Sequence, residues 1–235
     1  MAQPHAALAA YKKALEWREF FNGAESTAVA DACDSVACSY TEIGDTDNAF
    51  TTIEAMTYLR AGKPDESLAA IVKCWQLQGK TQQEIENSPY PKHSGDIMLL
   101  SRIYWLQGKK KQAQELTSHA LKMRRGTFGE NGGPRVADSL FALARILEDF
   151  EEYAHAAQLL SQIVAISGNT PDMRPHLARA YWFLANVEAK IDQGDNHAAE
   201  LRNKARESRK AIDSREWPDD DTDEGFMRLV GWMLW

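Results

Sequence analysis

A small residue recurs along this chain with a period close to 43 residues, and this period constrains the fold more than any other feature. The series consists of Ala7, Ala49, Ser67, Ala113, Ala156 and Ala199, at intervals of 42, 18, 46, 43 and 43 residues. A small side chain is required where two helices cross closely, because a larger one would push their axes apart. Self-similarity at this scale is typical of stacked supersecondary units rather than of one globular core. The period therefore predicts a stack of helical units.

Glycine recurs in step with the small residue. The positions five residues before the last five members of the series are Gly44, Gly62, Gly108, Glu151 and Gly194. Glycine suits the residue that follows the last turn of a helix, since it adopts a positive φ without steric cost. We therefore expect each of these positions to end one helix, with Glu151 as the non-glycine among them.

Apolar residues at helical spacing fill the segments on either side of these turns. They predict three helix pairs, 94–107 with 109–125, 134–150 with 153–167, and 174–193 with 196–214, and a lone helix over 6–21. Residues 81–95 should be weakly structured, because Pro89 and Pro91 exclude a helix through them. The expected fold class is all-α, an α-solenoid of antiparallel helix pairs.

One interval breaks the period. Gly44 and Gly62 are only 18 residues apart, which is about one helix and its turn short of a complete unit. We expect a truncated unit here, with one continuous helix over residues 46–61. The alternative is that a segment is missing from a longer original sequence.

The last 21 residues differ in composition from the array over residues 1–214. Residues 215–235 contain an acidic run at 219–224, expected to be a solvated linker, and then an apolar stretch. Phe226, Leu229, Val230 and Met233 have the spacing of one face of a short helix. The last unit of a solenoid leaves an apolar face open, so we expect this helix to cap the array. Docking of the same helix elsewhere is the alternative.

Charge and composition exclude several classes of partner. The formal net charge is −7, which argues against nucleic acid, since phosphate contacts need a positive surface. No run of about 18 apolar residues and no signal peptide is visible, so we expect no membrane association and a cytoplasmic location. Cys33, Cys38 and Cys74 lack the spacing of a zinc site. No metal or other cofactor is expected.

No catalytic motif is visible. The six histidines are spread over different units, and the glycine-rich stretch 126–133 lacks the lysine of a phosphate-binding loop. His93 and Asp96 lie close enough in sequence to touch, but capping of a helix explains Asp96 more simply. The sequence therefore predicts a protein that is not an enzyme.

Two segments carry a resemblance to a known family. The run that begins at Ala120 with Ala-Leu-Lys-Met-Arg, and the run Pro134-Arg-Val-Ala, resemble the tetratricopeptide repeats (TPRs) of kinesin light chains. The run Ala14-Leu-Glu-Trp-Arg, with Ala28-Val-Ala-Asp after it, repeats the same pattern. The resemblance covers residues 6–214 and implies a TPR superhelix of the type with repeats of about 42 residues. It also implies binding of a protein segment.

In such arrays the first helices of successive units line a concave groove. By position we expect the groove side chains to be Asp31, Asp34, Arg102, Trp105, Asp138, Arg145, Arg179, Trp182 and Asn186. Mixed charge with a few tryptophans suits binding of a peptide or helix by a scaffold or adaptor. The alternative is a sensor or regulatory part of a larger NLR-like signalling ATPase or transcriptional regulator, whose catalytic part would lie outside this chain. The oligomeric state stays open.

Overall fold

The computed structural model describes residues 4–22, 55, 58–59, 61–77, 79–168, 170–192, 196–212 and 220–230. Throughout these ranges the backbone forms helices and turns, and none of it forms a strand. The chain divides into two compact parts at Gln82, which we call the N-terminal and C-terminal parts. None of the helices in the described ranges is long and apolar enough to cross a bilayer.

The described α-helices are numbered in chain order. They are α1 (Pro4–Asn22), α2 (Pro64–Leu77), α3 (Gln82–Glu86), α4 (Ser94–Leu106), α5 (Lys110–Phe128), α6 (Gly133–Asp149), α7 (Tyr153–Ser167), α8 (Arg174–Ile191), α9 (His197–Lys210) and α10 (Asp223–Met227). Short 3₁₀ turns at Pro91–His93 and Pro171–Met173 lead into α4 and α8.

The C-terminal part is a stack of helical hairpins. From α4 to α9, each helix packs mainly against the helix that precedes it and the helix that follows it, and α8 also contacts α6 and α10. Helices α4, α6 and α8 are the first helices of three hairpins, and α5, α7 and α9 are the second helices. Packing limited to near neighbours defines a solenoid, so the all-α prediction is confirmed.

Two of the three hairpins, α4–α5 and α6–α7, have a pair of buried small residues where their helices cross. Ala113 and Ala156 are completely buried on α5 and α7, as the period predicted. The residues 12 positions earlier, Ser101 on α4 and Ala144 on α6, are equally buried. Ser101 Oγ donates a hydrogen bond of 2.7 Å to the carbonyl oxygen of Ala113, which ties the two backbones together where they cross.

The N-terminal part contains the same crossing with the roles exchanged. Ser67 Oγ on α2 donates a hydrogen bond of 2.6 Å to the carbonyl oxygen of Ala55, again 12 residues earlier. The hydroxyl lies on the second helix here and on the first helix in the α4–α5 hairpin. Ala199 departs from the series because it is exposed on α9. The position that corresponds to Ala113 and Ala156 is therefore Ala198, which is half-buried.

Three of the five predicted turns share one hydrogen-bond pattern, while Gly44 and Gly194 lie outside the described residues. At Gly62, Gly108 and Glu151 the backbone φ is +70°, +76° and +61°. In each case this residue donates to the carbonyl three positions earlier, and the next residue donates to the carbonyl five positions earlier. This pair of bonds is the Schellman motif, which satisfies the last carbonyls of a helix. Glu151 therefore has a positive φ, which glycine adopts freely and which a residue with a β-carbon adopts at an energetic cost.

Pro89 and Pro91 limit helix formation as expected, but the stretch before them is ordered. Helix α3 ends at Glu86, before the first proline. Ser88 Oγ and His93 Nδ1 then form a hydrogen bond of 2.6 Å that closes the loop between them. The truncated unit around Gly44, and Cys33 and Cys38, lie outside the described residues.

The Glu151→Gly variant should be more stable than the natural chain. A β-carbon at φ +61° raises the energy of the folded state, so its removal should increase the free energy of unfolding by about 0.5–1 kcal/mol. The reciprocal change Gly108→Ala should lower it by about 1 kcal/mol. A β-carbon at residue 108 would contact nothing within 4 Å, so this variant tests only the cost of a positive φ. Urea unfolding provides the measurement, and equal stability of Glu151→Gly and the natural chain would contradict this account.

Enlarging a crossing residue should separate two helices. Ala156→Leu should lower the free energy of unfolding by about 1–3 kcal/mol, because the added atoms enter a packed crossing. Ala154→Leu on the exposed face of the same helix is the matched control and should change it by less than about 0.5 kcal/mol. Equal effects of the two variants would mean that the crossing at Ala156 tolerates a large side chain.

Candidate functional site

Polar side chains that are half-buried or exposed form a row across the first helices α4, α6 and α8. On α4, the guanidinium carbon of Arg102 lies 4.1 Å from the centre of the Trp105 ring. Trp105 Nε1 donates a hydrogen bond of 2.5 Å to Asp149 Oδ2 on α6. Lys110 Nζ approaches the same carboxylate oxygen at 3.6 Å. Asp149 on the next hairpin therefore fixes the indole of Trp105, and Arg102 lies against that indole.

The row continues from α6 to α8 through one carboxylate. Glu148 accepts hydrogen bonds from Arg145 and, at 2.6 Å, from Lys190 Nζ on α8. Arg145 also lies over the ring of Phe183, 4.7 Å from its centre. We call the six side chains of this row the polar ladder: Arg102, Trp105, Arg145, Glu148, Asp149 and Lys190.

The predicted residues Asp138 and Arg179 face each other between α6 and α8. Asp138 Oδ1 accepts hydrogen bonds from His176 Nε2 at 3.1 Å and from Arg179 Nη2 at 3.4 Å. Arg179 is completely buried, and its guanidinium lies 3.9 Å from the centre of the Phe141 ring. The expectation that Arg179 lines an open groove is therefore wrong, because it forms part of the contact between two first helices.

Burial lowers the pKa of two arginines near Asp138, which are Arg179 on α8 and Arg124 on α5. Desolvation lowers the pKa of Arg179 to about 10, although Asp138 acts in the opposite direction. The pKa of Arg124 is also lowered by desolvation, again against the attraction of Asp138. Both effects have one cause, since a buried guanidinium loses its hydration and one shared carboxylate replaces it only in part.

The other two predicted residues of α8 bind the chain's own C-terminal segment. Trp182 Nε1 and Asn186 Nδ2 donate hydrogen bonds of 2.7 and 2.8 Å to Asp223 Oδ1. Phe226 stacks on the Trp182 ring at 4.3 Å between centres and is completely buried. Trp182 is therefore buried beneath α10, while Asn186 pairs with Asp223 and stays partly exposed.

Helix α10 packs on the array in the register of a first helix. Arg209, Asp223 and Phe226 follow Arg124, Asp138 and Phe141 by 85 residues each, which is two periods. The contacts repeat as well: Arg124 Nη1 donates to the carbonyl oxygen of residue 135 on α6, and Arg209 Nη1 donates to that of residue 220 before α10. The segment thus caps the array at the position that the first helix of another hairpin would occupy.

The acidic run takes part in this packing. Asp221 accepts a hydrogen bond of 2.6 Å from Arg206 Nε, and Asp223 is held by α8 as described. Gly225 lies against the backbone of residue 220, where an added β-carbon would come within 2.1 Å of its carbonyl oxygen. Residues 220–223 of the run are therefore fixed to the array by hydrogen bonds, although residues 221–223 stay exposed to solvent. The boundary near residue 214, Met233 and the last two tryptophans lie outside the described residues.

The sequence analysis missed four of the side chains that organise this face. They are His176, Glu148, Asp149 and Lys190. A signal for two of them was present, since Glu148 follows Arg145 by three positions on a helix and Lys190 follows Glu148 by nearly one period. Asp31 and Asp34, which were also predicted, lie outside the described residues.

Potential catalytic chemistry was sought among the described residues. Ser88 and His93 form a hydrogen-bonded pair, but both are buried, and Ser88 Oγ also accepts from the backbone N–H of Tyr90 at 3.2 Å. The pair therefore fixes a loop and is closed to a substrate. No group of three or more His, Cys, Asp or Glu side chains in the described ranges could hold a metal ion.

Removal of the aromatic anchor should release the C-terminal segment. Phe226→Ala loses the stack on Trp182, so hydrogen exchange at the backbone amides of residues 226–230 should become about 100-fold faster. Met227→Ala, at a half-buried position of the same helix, is the control and should have a much smaller effect. Mass spectrometry after exchange measures both, and unchanged protection in Phe226→Ala would show that another contact holds α10.

Comparison with known proteins shows similarity at the level of the fold. BtubC (BKLC) from P. vanneervenii is 16% identical over 97% of this chain and 82% of that chain, with a TM-score of 0.51. Two structures of a Podosopora anserina protein, named for a kinesin light chain and for nearly identical TPR-like repeats, are 19% and 18% identical, with TM-scores of 0.47. They cover 88% and 90% of this chain, and 87% and 90% of their own chains are matched.

No protein-family model and no curated protein sequence matches the chain. The similarity to BtubC, the neighbour-to-neighbour packing and the repeated Schellman turns agree with one another. The chain has the TPR-like helical repeat fold that its resemblance to kinesin light chains predicted.

Proposed function

We propose that this chain is a non-enzymatic scaffold or adaptor that binds a segment of another protein along the first helices of its C-terminal part. The observation that carries the proposal is the polar ladder, which crosses three hairpins without interruption. Its side chains are partly exposed, and they include both charges and one indole. A continuous row of this kind suits an extended or helical segment that spans several repeats.

The composition of the ladder indicates how a partner would be held. Arg102 and Arg145 are half-buried, each against an aromatic ring, so they are already ordered before binding. An ordered guanidinium loses little conformational entropy when it pairs with a carboxylate. Trp105 adds apolar area, and tryptophan and arginine are the residue types that dominate binding energy at protein interfaces. We expect a cytoplasmic partner protein rather than nucleic acid or a membrane.

The groove has a limited extent in this proposal. Trp182 is buried beneath α10, Asn186 pairs with Asp223, and Arg179 is buried, so a ligand has access to α4, α6 and the end of α8 near Lys190. The ligand-binding residues are therefore Arg102, Trp105 and Arg145, while Asp138 supports the contact between hairpins. Arg179 should not be reversed in charge in a binding test, because a buried glutamate would damage the fold.

Charge reversal at the ladder should abolish binding of a selected ligand. Peptides selected from a random display library on the natural chain provide the probe, and fluorescence anisotropy provides the affinity. In the Arg102→Glu, Arg145→Glu double variant we expect affinity to fall at least about 100-fold, since two charge-assisted contacts are replaced by repulsion.

The matched control reverses two arginines outside the ladder. Arg202→Glu with Arg228→Glu changes the net charge by the same amount and leaves the ladder intact, so affinity should stay within about threefold. Circular dichroism verifies that both variants fold. Equal loss in the two double variants, or no loss in either, would contradict binding at the ladder.

A further inference from the structure

A cavity of about 330 Å³ lies between α3, α4 and α5, and none of its lining residues belongs to the polar ladder. It is lined by seven residues of the C-terminal part, which are Glu86, Asn87, Tyr104, Gln112, Glu115, Leu116 and His119. Two of these side chains are carboxylates, and none is a lysine or an arginine. Asn87, Gln112 and Glu115 are exposed, so the cavity is open to solvent. Its volume is at the lower end of the range for sites that bind small molecules.

Glu86, the last residue of α3, is fixed at the wall of this cavity. Tyr104 is buried, and its hydroxyl donates a hydrogen bond of 2.7 Å to Glu86 Oε1. A neutral O–H donor orients a carboxylate without neutralising it, so this bond leaves the charge of Glu86 in place. Lys109 lies over the face of the Tyr104 ring, 4.9 Å from its centre, and does not line the cavity.

Donor groups of two other lining residues are used within the protein. His119 Nε2 lies 2.9 Å from the carbonyl oxygen of Ser88. Because a carbonyl only accepts, Nε2 carries the hydrogen, and Nδ1 of the neutral ring is an acceptor. Asn87 Nδ2 donates a hydrogen bond of 2.9 Å to the carbonyl oxygen of Gln83. The cavity therefore offers carboxylate, amide and imidazole acceptors, which suit a ligand that brings positive charge and several N–H groups.

The arrangement of these acceptors favours an organic cation over a metal ion. Glu86, Glu115 and His119 are residue types that bind metals, but the described ranges contain no group of three such side chains that could hold a metal ion. A metal needs its ligands to converge on one point. A larger cation can contact the same acceptors one by one.

We propose that this cavity binds the primary ammonium group of a small aliphatic amine. An ammonium group has three N–H donors that diverge from one nitrogen, which suits acceptors from both α3 and α5. Its hydrogen bonds to carboxylates are charge-assisted and are therefore stronger than those of a neutral donor. Leu116 supplies apolar surface for the alkyl stem. A free amine and a lysine side chain of another protein share this chemistry.

Titration of the natural chain with 1,4-diaminobutane tests the proposal. The amide chemical shifts of residues 86–88 and 115–119 should change and saturate, with a dissociation constant of about 1 mM for so small a ligand. The uncharged 1,4-butanediol should cause no saturable change. Tetramethylammonium, which has the charge without N–H donors, should bind at least about tenfold more weakly. Absence of saturation with 1,4-diaminobutane, or equal affinity for tetramethylammonium, would overturn the proposal.

A second titration distinguishes the two sources of the ammonium group. Nα-acetyl-lysine amide represents the lysine side chain of a protein partner, and 1,4-diaminobutane represents a free amine. Tighter binding of the diamine identifies a free amine as the ligand, and tighter binding of the lysine derivative identifies a protein side chain. Failure of both to bind would overturn the proposal.

Removal of one carboxylate charge should weaken binding of 1,4-diaminobutane. Glu86→Gln should raise the dissociation constant about tenfold, since a charge-assisted bond becomes a neutral one, and its amide oxygen can still accept from Tyr104. Glu115→Gln should raise it about threefold, because Glu115 is exposed. Glu207→Gln on α9 makes the same charge change at an exposed position outside the cavity and should have less than a twofold effect.

Unchanged affinity in Glu115→Gln would overturn the proposal even if Glu86→Gln failed to fold. The ladder double variant Arg102→Glu, Arg145→Glu should still bind the amine within about threefold, because neither arginine lines the cavity. The outcome is therefore independent of the proposed function.

Discussion

The close crossing of two helices at paired small residues is the contact on which the rest of this structure depends. Ala144 with Ala156, and Ser101 with Ala113, let α7 and α5 lie against their first helices at short distance. The Schellman turns that precede α2, α5 and α7 fix where these helices begin. Because both features recur with the same period, every hairpin presents similar surfaces at similar positions. Contacts between hairpins can then repeat as well.

The contacts between successive hairpins repeat, although the residues at equivalent positions are not always of the same type. Arg124 and Arg209 occupy equivalent positions on α5 and α9, and both donate to an equivalent carbonyl oxygen. Ser167 takes this position on α7, and Arg179 lies instead on the facing first helix, α8. Each of these boundaries thus buries a guanidinium, but from different helices, and Arg179 and Arg209 lie over the rings of Phe141 and Phe226. Nε and Nη1 of Arg179 have no hydrogen-bond partner in the described part of the chain, since the carbonyl used by the other two arginines is not its partner.

The fold could be predicted from the sequence because its determinants are local. The small residues, the turn glycines and the helix spacing all lie within one period, and even Glu151 was identified as a turn residue. The site was predicted less well, because exposure depends on contacts between hairpins. Arg179, Trp182 and Asn186 have the helical positions of groove residues, yet the first is buried against α6 and the other two bind α10. A polar residue on a first helix is equally suited to binding a ligand and to joining hairpins.

The polar ladder combines both roles, and this has a consequence for recognition. Trp105 and Lys110 are held by Asp149, and Arg145 and Lys190 are held by Glu148, so the contacts that align the ladder are also contacts between hairpins. A ligand carboxylate that pairs with Arg145 must compete with Glu148 from the same helix. Binding energy is therefore reduced by the pairs that it replaces, while the side chains lose little freedom because they are already ordered. Such a surface favours a ligand that follows the whole row over one that makes a single strong contact.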